Sequence, residues 1–279
     1  MVNLYLSNHI KRLVFILKTA GYLILFVNLM YSTIFGTKIN MLSRTEAELD
    51  QIRKYIPDNA EIIQIAEKNF LKVQIDSGRE EVLAAFKDPN IKNAVFLEII
   101  CGDNQVFRLK GDGTYITSVE AVDVVGNGNK EILMGTNIGN DINRLNVFSF
   151  DGSKFSKEFT YSYSKYELIS ENKNSEKAVF AFWLKNRGGF YDIDIVKWNG
   201  SELIPVSTLY KKYYPKVVDY YKQAAETEGN NAYVWYGLAD AQIKAGFKKD
   251  ALISIGNGVA LNQPFPTKQQ FDELKRKIK

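Results

Sequence analysis

The chain has almost none of the residues that neutral-pH catalysis usually recruits: one histidine, His9, and one cysteine, Cys101, in 279 residues. A single cysteine excludes an intramolecular disulfide framework. A single histidine, placed ahead of a long apolar stretch, excludes a histidine-built nucleophile–base pair. No HExxH, GxSxG or phosphate-cradling glycine loop occurs. Charge of one sign is also scarce. The net charge is +4, and Thr267–Lys279 alone contributes +3 of it. The remainder is close to neutral, so there is no basic footprint for nucleic acid. What is present, 46% hydrophobic and 24% charged residues, suits one or two folded domains plus extras rather than a disordered chain.

The longest apolar run is Thr19 to Gly36, whose only strongly polar member is Asn28. A helix of roughly 17 to 25 residues spans a hydrocarbon core. The exit, from Tyr31 to Thr37, lacks the small-residue pattern of a cleavage site, so an uncleaved signal-anchor is expected over a cleaved signal peptide. Lys11, Arg12 and Lys18 precede the core while Lys38 and Arg44 follow it, which places the N-terminus inside and the large domain outside. The expected localisation is the cell membrane, single-pass, with the large domain extracytoplasmic. Residues 40–55 read as a juxtamembrane linker with helical character, broken at Ile56-Pro57.

Beyond it the chain keeps time. Asp103-Asn104, Asp151-Gly152 and Asn199-Gly200 fall 48 and 48 residues apart, each between apolar runs. Asp-Gly and Asn-Gly tolerate the positive φ of a tight hairpin turn, so each pair reads as the outer hairpin of one unit. Upstream of each lies a polar loop feeding an apolar strand: Asp76–Glu81, Asp123–Glu131 and Glu171–Lys177. Three such units fall short of a closed propeller, which has four to eight blades. The open array is left with edges to be covered.

The loop–strand unit resembles the FG-GAP or VCBS repeat of integrin-like β-propellers, whose consensus is Asp-x-Asp-Gly-Asp-Gly-x-x-Glu before a hydrophobic strand. That resemblance implies calcium held by acidic side chains and a carbonyl. Carried onto this chain, the middle copy keeps Asp123, Asn127 and Glu131, but Val125 stands at the second ligand position and offers no side-chain oxygen. A loop that keeps its turn geometry without the metal is the favoured reading.

After Val206 the apolar period changes to about 3.6, giving expected helices over 213–228, 232–245 and 248–261. The last two resemble a tetratricopeptide repeat, with Trp235, Leu238, Gly246, Ala251 and Ile255 at packing positions, while Gln242 and Gly258 depart from the pattern. Too few to stand alone, these helices are expected to dock on the array and cover its edge. The whole order also resembles bacterial envelope proteins of unknown function, over residues 56 to 262.

The expected fold is therefore α+β. It comprises a stub and transmembrane signal-anchor (1–39), a linker (40–55), a partial propeller-like β-repeat domain of about three units (56–206), a tetratricopeptide-like helical hairpin packed on it (207–265) and a basic tail (266–279). Asp192 and Asp194, two apart on a strand, read as a solvated pair rather than a glycosidase dyad. The expected function is non-enzymatic binding or scaffolding, recognising a protein or envelope polymer. Trp235, Tyr236 and Tyr213 are the candidate contacts, in the groove between array and helices. The alternative is an accessory or catalytic module of an envelope polysaccharide hydrolase.

Overall fold

The computed structural model describes residues 48–75, 80–92, 94–102, 105–169, 177–186 and 188–278. Residues up to Ile56 and those from Pro57 onward form separate compact units. In the first, helix α1 is seen over residues 48–53. It ends where the N–H groups of Tyr55 and Ile56 turn back to the carbonyls of Ile52 and Arg53.

The second unit begins with strands β1 (Glu61–Ile63), β2 (Leu71–Val73), β3 (Glu81–Lys87), β4 (Val95–Ile100) and β5 (Val106–Lys110). A second sheet follows, built from β6 (Tyr115–Val122), β7 (Glu131–Gly139), β8 (Ile142–Phe150) and β9 (Phe155–Tyr163). The third consists of β10 (Lys165–Ile169), β11 (Val179–Lys185), β12 (Tyr191–Trp198) and β13 (Leu203–Pro205). All pairings are antiparallel. In the first sheet β1 and β2 share one edge of β3, pairing Ile62 with Phe86 and Lys72 with Val82, and together act as one interrupted strand. Each sheet is thus a four-ribbon meander.

The sheets stack face to face because side chains alternate along each strand. Leu83, Leu97 and Ile99 of the first sheet pack with Ile132, Met134 and Phe148 of the second. The second sheet's opposite face, with Leu133, Leu145 and Val147, meets Phe180, Phe182 and Trp198 of the third. Val179, Ala181, Trp183, Ile193 and Ile195 then face α2 and α3. Burial on both faces is why β11 reads as an unbroken apolar run instead of alternating.

Backbone bonds tie one sheet to the next at the same place in each unit. Lys130 N donates to Ile75 O at 2.7 Å, and 48 residues on Ala178 N donates to Asp123 O at 2.9 Å.

Four helices follow: α2 (Tyr210–Glu228), α3 (Ala232–Ala245), α4 (Lys248–Ala260) and α5 (Lys268–Arg276). Pro215 sits in the second turn of α2 without breaking it. Asn231 caps α3 by accepting from Tyr233 N, and Gly246 ends it at φ 88°. Tyrosines fasten α2 to the third sheet. Trp183 Nε1 donates to Tyr213 Oη at 2.8 Å, Tyr214 Oη to Ile193 O at 2.7 Å, and Tyr221 Oη to Tyr191 O at 2.7 Å. Gln242, a departure from the repeat pattern, is buried and accepts from Ser254 Oγ of α4 at 2.7 Å.

Three expectations need correction. The expected architecture began with a transmembrane helix, but among the described residues no helix is long and apolar enough to cross a membrane. Thr19–Gly36 lies outside the described residues. What stands is a sheet-rich α+β chain. Second, the helices cover a face of the third sheet and not an edge, because Val179, Ala181 and Trp183 make that face apolar. Third, the expected basic tail contains a helix: Thr267 and Gln270 form a capping box, and Phe271 and Leu274 are buried against Ala239 and Ile255.

Candidate functional site

The loop between β6 and β7 closes on itself. Asp123, buried at the end of β6, accepts from the N–H groups of Gly126, at 2.5 Å, and Asn127 on one oxygen, and from Gly128 at 2.8 Å on the other. Glu131 returns from the far end, accepting from Val124 N at 2.7 Å and Val125 N at 3.3 Å. Gly126 and Gly128 hold φ of 84° and 86°, open to glycine without strain. Burial pushes the Glu131 carboxyl above its usual range, against the downward pull of those two N–H groups. In the first unit Glu81 does the same, accepting from Ile75 N at 3.1 Å.

Asp123, Asn127 and Glu131 are therefore brought together, but as acceptors for their own backbone. Asn127 Oδ1 is likewise taken by Asn129 N at 2.9 Å. Oxygens directed at N–H donors are not arranged for a hard cation that wants six to eight ligands. Among the described residues no three His, Cys, Asp or Glu side chains group in a way that could hold a metal ion.

Beside this loop opens a cavity of about 600 Å³. The loop contributes Asn127, Asn129 and Lys130, and the β8–β9 hairpin contributes Phe150, Asp151 and Glu158. Trp198 and Gly200 come from the β12–β13 hairpin. Ser149 donates to Glu158 within it. Trp198, tilted against Phe159 with centroids 4.9 Å apart, has a buried indole N–H with no hydrogen-bond partner among the described residues. Sites for small ligands run to roughly 300–1,000 Å³, apolar with a few convergent polar groups, and this cavity matches that size and mix. Phe150, Glu158 and Trp198 escape a reading of the sequence. Their one signal is that Phe150 and Trp198 each precede a turn, 48 residues apart.

The groove expected between array and helices is a smaller cavity of about 180 Å³, lined by Asp192, Asp194, Tyr214, Tyr221, Tyr236, Asp240 and Lys244 among others. Lys244 pairs with Asp240 at 2.8 Å. Burial pulls the Lys244 ammonium down, but Asp240 and Tyr214 outweigh it and the net shift is upward. Burial pushes the Asp192 carboxyl up, Asn186 opposes it, and Asp240 and Asp194 push it further. Asp194 accepts from Tyr161 Oη at 2.6 Å.

The three aromatic candidates part company. Tyr236 lines this groove and packs edge-on against Phe271. Tyr213 is buried against Trp183. Trp235 donates its indole N–H to Gly229 O at 2.7 Å, closing the α2–α3 turn. No family model matches the chain, and neither a curated protein nor a solved structure is similar to it.

Proposed function

We propose that the chain is a non-catalytic binding module that takes a segment of a protein or envelope polymer in the cavity between the β6–β7 loop and the two hairpins. The observation that carries this reading is the composition of that cavity. Aromatic side chains, Phe150 and Trp198, stand with amides and carboxylates, Asn127, Asn129, Asp151 and Glu158. The polar groups suit oriented hydrogen bonding, and the rings suit stacking. Catalytic machinery has no support there: among the described residues no histidine or cysteine lines the cavity, and the Glu131 carboxylate is already engaged by Val124 and Val125. The 48-residue step between the turns at Asp151 and Asn199, and between the cross-links at Lys130 and Ala178, supports a surface built from equivalent loops of successive sheets.

A hydrolase reading has one observation in its favour, the raised Asp192 carboxyl beside Asp194 and Asp240. That groove is smaller than the range for ligand sites, and Asp240 is held by Lys244.

The test is a combined peptide and glycan array probed with the full chain and with Asn129→Trp, which fills the cavity from an exposed position. Retention by the natural chain and its loss in the variant supports the reading. Equal retention by both, or turnover of an arrayed glycan, would overturn it.

A further inference from the structure

Three Asn-Gly pairs occur in the chain, at Asn127, Asn199 and Asn257. With no Cβ on the second residue, its backbone nitrogen can close on the asparagine Cγ to give a cyclic imide, and the fold holds the three pairs differently. Asn257 and Gly258 lie within α4, with Gly258 buried, so ring closure there would pull a nitrogen out of the helical hydrogen-bond ladder. At Asn127 the nucleophile is occupied: Gly128 N donates to Asp123 Oδ2 at 2.8 Å. Removing that proton would leave negative charge beside a carboxylate, which disfavours it. Asn127 Oδ1 has one donor among the described residues, Asn129 N at 2.9 Å.

Asn199 has neither obstacle. Asn199 and Gly200 are exposed in the β12–β13 turn, the Gly200 N–H has no acceptor among the described residues, and a Cβ built on Gly200 meets nothing within 4 Å. Asn199 Oδ1 meanwhile accepts from Ser201 N at 2.9 Å, Ser201 Oγ at 3.0 Å and Glu202 N at 2.9 Å. When a nitrogen adds to Cγ, Oδ1 takes up negative charge, and donors already aimed at it stabilise that charge. The matching turn at Asp151 shows why the reaction belongs to Asn199. There the Ser153 hydroxyl and N–H, with the Lys154 N–H, hold the carboxyl below its usual range, so it stays ionised and resists a nucleophile. It also shows that a carboxylate fits, because Asp151 keeps the same set of contacts.

We propose that Asn199 is a self-modifying site, converted to aspartate in the folded chain with Gly200 as the nucleophile. Gly200 N gives its proton to solvent base and bonds to Asn199 Cγ, the Cγ–Nδ2 bond breaks, and the nitrogen leaves as ammonia with a proton from water. Water then opens the imide, to aspartate or to its β-linked isomer. One negative charge is added at the turn whose Trp198 and Gly200 line the cavity. The reaction itself does not depend on what the cavity binds.

Incubation of the full chain in mildly alkaline water labelled with heavy oxygen, followed by peptide mass mapping, tests this. Label and the amide-to-acid mass change should appear at residue 199 at least roughly tenfold faster than at residues 127 and 257. In denaturant the three pairs should react at similar rates, since all then lack these contacts. Ser201→Ala, which removes one donor from an exposed turn, should slow conversion at residue 199 by roughly threefold or more. No label at residue 199, or label at residue 127 or 257 arriving as fast, would overturn the proposal. So would the same preference for residue 199 in denaturant, or a Ser201→Ala chain that converts as fast as the natural one or faster.

Discussion

Asp151 and Asn199 stand 48 residues apart and make the same turn. Each Oδ1 accepts from the N–H and the hydroxyl of the serine two residues on, and from the next N–H after it. The distances are 2.9, 2.8 and 2.9 Å at Asp151, and 2.9, 3.0 and 2.9 Å at Asn199. The intervening glycines hold φ of 94° and 103°. Gly152→Ala and Gly200→Ala should each cost about 1–2 kcal/mol, the penalty of a left-handed conformation for a residue with a Cβ. Urea denaturation of both variants checks this. A large loss in one and none in the other would mean the turns are not equivalent.

Glu131 gives a pH prediction. Its carboxyl is raised in the fold, so the protonated form is favoured there. The contribution is fully present below the ordinary value of 4.5 and is lost as pH rises through the raised folded value. Glu131→Gln keeps an oxygen for Val124 N and Val125 N without the buried charge. The stability of the natural chain relative to this variant should therefore fall as pH rises past about 4.5. Glu131→Ala, which leaves those N–H groups without their acceptor, should cost about 1–3 kcal/mol. Melts at pH 4 and pH 7 separate the two.

Calcium at about 1 mM should leave the melting temperature unchanged, since Asp123 and Glu131 are engaged by backbone donors. A clear rise would show that the ion displaces them.

Gly237 and Gly258 lie inside helices, where replacement by alanine ordinarily stabilises by up to about 1 kcal/mol. Here a Cβ on Gly237 would sit 2.2 Å from the Tyr221 ring, and one on Gly258 2.4 Å from Phe271. Both Gly→Ala variants should instead lose about 1–3 kcal/mol, measured by thermal melts. Phe271→Leu should recover part of the loss at Gly258.

Tyr213→Phe removes the acceptor of the buried Trp183 indole N–H. A loss of about 1–3 kcal/mol in denaturant titrations is expected. An unchanged midpoint would mean that the bond does not fasten α2 to the sheet.

The turn at Asp151-Gly152 was legible because its requirement is local: a left-handed residue between apolar strands. The polar loop at Asp123–Glu131 was legible for the same reason. The division of β1 from β2 was not, since nothing in Glu61–Val73 shows that both segments share one edge of β3. Helix α5 was hidden by composition, because only Phe271 and Leu274 are buried in a segment otherwise rich in charge. The glycine at 258, read as a departure from a repeat, is the space that Phe271 fills. At the proposed binding cavity Asn127 and Glu131 could be read from the loop, whereas Glu158 and Trp198 arrive from strands whose neighbours are set by the stacking of whole sheets. The three candidate aromatics, Tyr213, Trp235 and Tyr236, were chosen by type, and type does not decide which way a helix turns them.

Hydrogen exchange on the full chain, with and without a compound retained on the array, tests the binding reading most directly. Bound compound should slow exchange at the amides of residues 126–130, 149–152 and 198–200, and leave residues 236–244 unchanged. Slowing confined to residues 191–194 and 236–244 would contradict it, moving the site to the groove beneath the helices.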